Sequence, residues 1–170
     1  QETVRHFFRA GGSSGTIAKA MSAYDKDFSD AIYGVEEDGR YVTESRLKKI
    51  LTHEAGLIEK RLSRKKHPNK IFFSFANTVA TIDFAKQFKG HGWVGIKYQL
   101  EPEEEYNEII LHIRFKETDV RLQQETLGIL GVNLIYGAFY KYNNPKNLLR
   151  YLYDHLDKDQ LEIDTINFSG

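Results

Sequence analysis

Cysteine is absent from the 170 residues, which excludes a disulfide scaffold, a thiolate metal site and a cysteine nucleophile. That absence also fits a reducing compartment. Net charge is lacking too. Twenty-four basic residues balance 24 acidic ones, so no global field draws the chain to nucleic acid or to a lipid surface. No uninterrupted apolar run reaches the roughly 18 residues that a membrane helix needs, and no stretch reads as a signal peptide. A cytoplasmic location and no membrane partner are therefore expected, with nucleic acid disfavoured as a partner. Repeats and low-complexity tracts are missing as well. A chain of this length can bury a core of its own. The expectation is a single α+β domain over residues 1–170, taken as the N-terminal fragment of a longer protein because the chain opens on Gln1 and stops just after a strand-like run.

What is present centres on Val120–Tyr140, where Asn133 is the one strongly polar residue beyond Leu127. An apolar surface all the way round predicts a helix buried on most sides rather than an amphipathic surface helix. Gly128, Gly131 and Gly137 would let neighbours approach it closely. A second helix is predicted from Thr43, a good N-cap, to about Arg64, with Leu47, Ile50, Leu51, Leu57, Ile58 and Leu62 at helical spacing. A short helical turn is expected over Asp27–Tyr33, ended by Gly34, and another helix over Lys146–Asp157. Alternation predicts strands at Trp93–Leu100 and Glu108–Lys116, joined as an antiparallel hairpin by the acidic loop Glu101–Asn107. Further strands are expected at Ile71–Phe75 and Leu161–Phe168. The order does not alternate strand with helix, so the expected architecture is a mostly antiparallel sheet of about four strands packed against a buried central helix and several amphipathic helices.

Three stretches could carry chemistry. Arg9-Ala10-Gly11-Gly12-Ser13-Ser14-Gly15-Thr16 opens a predicted helix. Unpaired N–H groups and the positive end of the helix dipole would favour a phosphate there, with Arg9 and Lys19 adding charge. It is neither a Walker A loop nor G-x-G-x-x-G, and a plain interhelical linker with an N-cap is the alternative. The hairpin face carrying Trp93, Lys97, Gln99, Ile110, His112 and Arg114 suits an anionic, partly aromatic ligand, or is simply a solvated sheet face. Lys60–Lys70 holds six Lys or Arg and no acid; it could touch phosphate backbones, or be a solvated helix end. Of the six histidines, His91 between Gly90 and Gly92 is the one placed to reach a ligand. None has metal-site spacing, so no metal is expected.

The segments His6–Asp25 (HFFRAGGSSGTIAKAMSAYD), His91–Gln99 (HGWVGIKYQ) and Gln123–Tyr140 (QQETLGILGVNLIYGAFY) resemble the N-terminal part of a large bacterial protein family. Its members carry the label nicotinate- or nicotinamide-nucleotide adenylyltransferase, and in some cases TonB-dependent receptor. The resemblance implies a nucleotide-handling, nucleotidyltransferase-like protein continuing past Gly170, with ATP or a nicotinamide nucleotide as ligand. The G-x-F-x-P, H-x-G-H and S-x-T-x-x-R patterns of such enzymes do not occur here, so any catalytic machinery would lie outside this chain. The binding set expected is Arg9, Gly11, Gly12, Ser13, Ser14, Gly15, Thr16, Lys19, His91, Lys97, His112 and Arg114. The alternative is a non-catalytic assembly module whose partners are other chains or copies of itself. RNA binding is a third, weaker option.

Overall fold

Thr43 begins the best-defined local structure. Its extended backbone and its hydroxyl, which accepts from the Arg46 N–H, cap the helix Glu44–Arg61. In the computed structural model, which describes residues 3, 5, 26–36, 40–62, 69–80, 90–140 and 144–169, four helices and four strands are formed among those residues. They are α1 (Lys26–Tyr33), α2 (Glu44–Arg61), β1 (Phe73–Ala80), β2 (His91–Tyr98), β3 (Asn107–Phe115), α3 (Val120–Tyr140), α4 (Pro145–Leu152) and β4 (Leu161–Ser169). The strands make one antiparallel sheet in the order β1-β2-β3-β4. The class is α+β, as the non-alternating pattern predicts.

Contacts group the chain into two compact units. One contains α1, α2, most of β1 and β2, residues 107–112 of β3 and the end of β4. Here α2 lies directly on the sheet: Leu47 and Leu51 form a buried cluster with Ile110, and Ala76 and Trp93 pack against it. Gly95 makes this approach possible. A Cβ there would sit 3.0 Å from a Leu47 methyl, 3.1 Å from a Leu51 methyl and 3.2 Å from the Ile109 carbonyl oxygen. Ser74 Oγ donates to the Leu51 carbonyl at 2.9 Å, and Thr78 Oγ1 to that of Tyr41 at 2.7 Å. The Trp93/Ile110 face, expected to be solvated or open to a ligand, is therefore largely covered by a helix. The opposite residues Val94, Ile96, Tyr98, Ile109 and Leu111 are also buried. The hairpin therefore buries residues on both sides, though Arg114 at the end of β3 stays exposed.

Arg46 is 1 % exposed, yet charged. Its guanidinium lies 3.3 Å from Glu36 Oε1 and 3.6 Å from Asp30 Oδ1, donates to the Gly34 carbonyl at 2.6 Å and to Ser29 Oγ, and sits over the rings of Tyr33 and Tyr41. A buried charge is tolerable only when paired and hydrogen-bonded. This one ties α1 and the following turn to α2. Gly34, with φ +90, supplies the left-handed residue that ends α1.

The other unit contains α3, α4, the last residues of β3 and the first of β4. From Thr126 to Phe139 only Tyr136 of α3 is exposed, as its all-round apolar surface predicts. Asp119 Oδ1 accepts from the Arg121 and Leu122 N–H groups at its start. Gly137 is where α4 crosses: a Cβ would meet a Leu148 methyl at 2.7 Å. Asn133, the lone polar residue of the run, donates through Nδ2 to the carbonyls of Leu152 and Asp154 at 2.9 and 2.8 Å. That clamp helps to explain why α4 ends at Leu152 instead of continuing to Asp157. Its last carbonyls are taken, and His155 turns the chain at φ 58.

Candidate anion-binding cleft

Lys116 leaves β3 with its N–H bonded to the Gln160 carbonyl at 3.0 Å. Gln160 in turn closes the turn that presents Lys158: its N–H donates to the Asp157 carbonyl at 3.0 Å, and its Oε1 accepts from the Asp157 N–H at 2.7 Å. Gln160 Nε2 reaches Thr126 Oγ1 on α3 at 3.3 Å. Tyr153, the C-cap residue of α4, accepts the Ile163 N–H of β4 on its hydroxyl oxygen at 3.0 Å. These ties shape one wall from α4 and another from β4. Between them lies a cleft of about 570 Å³ lined by Lys116, Leu149, Arg150, Tyr153, Lys158, Leu161, Glu162 and Ile163. That volume falls in the range of about 300–1,000 Å³ usual for small-molecule sites.

The chemistry of the lining divides cleanly. Leu149, Leu161 and Ile163 are apolar, Lys116, Arg150 and Lys158 are cations, and Glu162 is the single carboxylate. Among the described residues, no carboxylate lies within ion-pair distance of any of the three. A second cleft of about 520 Å³, lined by Ile32, Tyr33, Lys48, Lys49, Thr52 and His53, is the contrast. There Lys48 pairs with Glu44 at 3.4 Å and Lys49 with Glu36 at 3.0 Å. Its Tyr33 hydroxyl donates to Glu54 Oε1 at 2.8 Å. Burial, reinforced by that carboxylate, pushes the Tyr33 phenol far above its ordinary value. The lysines of the second cleft are paired with carboxylates, and the three cations of the first are not paired among the described residues.

The described residues of the set expected from the sequence, His91, Lys97, His112 and Arg114, fall elsewhere. Arg9, Gly11, Gly12, Ser13, Ser14, Gly15, Thr16 and Lys19 lie outside the described residues. Lys97 is half-buried, 4.0 Å from Glu108 and 6.0 Å from the centre of the Tyr106 ring. His112 packs against Trp93 with the rings tilted by 51° and their centroids 4.6 Å apart. Both belong to the unit carrying α2. In the other unit, His91 opens β2 half-buried, and the Arg114 Nε donates to Asp164 Oδ2 at 2.8 Å. None of these four lines either cleft. The cleft cations escaped the sequence reading because they are single residues on three separate segments. The only local signal was Arg150 and Tyr153, which share one face of α4 at i, i+3 spacing. No protein-family model, curated protein or solved structure matches the chain.

Proposed function

We propose that this chain is a binding module for a small phosphate-containing or similar organic anion, held in the cleft beside α4 and β4. The observation that carries the reading is the set of three cations, Lys116, Arg150 and Lys158, in a lining that holds one carboxylate, Glu162, with no carboxylate among the described residues within ion-pair distance of them. Like charges gathered on one surface repel, and an anion relieves that repulsion while gaining charge-assisted hydrogen bonds. A nucleotide is the narrower form of this proposal. The resemblance to nucleotide-handling proteins favours it, and Arg9–Lys19 remains a candidate phosphate contact.

Thermal unfolding with inorganic phosphate, nicotinamide mononucleotide and ATP tests the reading. A ligand that binds only the folded state raises the melting temperature progressively with concentration. The double variant R150E/K158E should abolish that rise. Both side chains are exposed, so basal stability should stay within about 0.5 kcal/mol per substitution. No rise with any of the three, or an unchanged rise in the double variant, overturns the cleft assignment.

A second reading, self-association, has its own observation. Tyr136 and Tyr140 are 45 % and 68 % exposed, and Tyr136 stacks at 4.5 Å on Tyr140 and 5.3 Å on Tyr151. Exposed clustered aromatics favour interfaces. Sedimentation at low and high salt tests it: association that Y136S/Y140S abolishes supports the reading, and a strict monomer at both salts defeats it.

A further inference from the structure

Resting on the anion-binding reading, we propose that the ligand class of the α4–β4 cleft is a phosphomonoester carrying an apolar body, dianionic at one end and aryl-like at the other. Two features of the lining set the two ends. Lys116, Arg150 and Lys158 stand against the single carboxylate of Glu162, leaving two positive charges in excess. A phosphomonoester carries about −1.5 to −2 at pH 7 and three acceptor oxygens, whereas a carboxylate or sulfate ester carries one charge. The Tyr153 hydroxyl adds a donor: its oxygen accepts the Ile163 N–H at 3.0 Å, and no described residue takes its hydrogen. The O–H is thus left to reach a ligand oxygen while the ring stays fixed against β4.

The apolar body follows from what remains. Bare phosphate would occupy a small part of about 570 Å³ and leave the exposed Leu149 and the half-buried Ile163 facing water. An aryl group laid on those side chains removes apolar surface from water on both partners.

Calorimetric titration of the whole chain with four probes reads this out: inorganic phosphate, phenyl phosphate, phenyl sulfate and phenol. Phenyl phosphate is expected to bind about tenfold or more tightly than each of the others, a factor that roughly 1.4 kcal/mol supplies. The variant L149A should weaken phenyl phosphate by about threefold, the worth of a partly exposed leucine contact, and leave inorganic phosphate unchanged. Lys158→Ala should weaken both phosphates together. Phenyl phosphate no tighter than inorganic phosphate, or no tighter than phenyl sulfate, overturns the ligand class while leaving anion binding intact. Failure of every phosphate to bind removes the anion-binding reading itself.

Discussion

Arg46 shows how much one residue can fix. Glu36 is 7 % exposed and Asp30 is 15 % exposed, so replacing Arg46 with Ala leaves two acids with little solvent and no guanidinium. Breaking a buried pair by removing one partner costs about 3–5 kcal/mol, and R46A should lower the urea midpoint accordingly without changing which elements form. Lysine is a poor substitute, because one ammonium cannot serve Gly34, Ser29, Glu36 and Asp30 from a planar fork. Tyr33 contributes to the alkaline pH dependence, beside Tyr41 and Tyr151, whose phenols are also pushed up. The Tyr33 phenol is pushed up by burial first, then by the hydrogen bond and charge of Glu54, against a smaller downward pull from Arg46. The unfolded chain ionises its tyrosines near pH 10, while folded Tyr33 still holds its proton. Its contribution to stability is therefore fully present below about pH 10 and is lost as pH rises further. Urea midpoints measured from pH 8 to 11 should fall at the alkaline end, and less steeply in Y33F. Arg46 was illegible in the sequence because a charged residue in a helix pattern counts as surface. Its acids arrive from ten and sixteen residues away.

The elements were legible wherever local rules decide, and less so where neighbours do. Thr43 and the leucine spacing gave α2 to within three residues of its end, and the uninterrupted apolar run gave α3 as an interior rod. The hairpin strands appeared with nearly the right bounds because alternation is a backbone property. Which hairpin face met solvent was misjudged. Trp93, Gly95 and Ile110 share a face with Lys97 and His112, and those polar residues outvoted the glycine, whose missing side chain is what admits Leu47 and Leu51. The end of α4 was placed too late for a related reason: the leucine stripe continues through Leu156, but Asn133 on another helix claims the Leu152 and Asp154 carbonyls. Removing that claim is the corresponding test. N133A leaves two carbonyls without their donor, and a loss of about 1–3 kcal/mol is expected. Amide exchange should accelerate in 152–156 ahead of α2, since the clamp acts on that segment; uniform acceleration would assign Asn133 to general packing instead.

The chain as a whole carries no excess charge, so the cleft's positive potential is local and is not backed by a long-range field. An exposed pair more than a Debye length away, about 8 Å at physiological salt, contributes little. Two measurements would distinguish small-anion binding from nucleic-acid binding. A polyanion gains affinity by releasing many counterions at once, so its binding falls steeply with salt, roughly in proportion to the number of phosphates neutralised. A cleft whose cations are Lys116, Arg150 and Lys158 has few charges to release counterions from a ligand, so its salt dependence should be shallow. Raising potassium chloride from 0.05 to 0.2 M should weaken phenyl phosphate binding by no more than the several-fold expected of about one phosphate contact, against about 10³–10⁵ for a protein making six to ten such contacts. A 20-base-pair duplex should show no saturable binding tighter than about 10⁻⁴ M at the upper salt, the weak limit of ordinary non-specific DNA association. Tight duplex binding with a steep salt slope would mean that a larger cationic surface exists, and Lys60–Lys70, with six Lys or Arg and no acid, is where charge reversal should then abolish it.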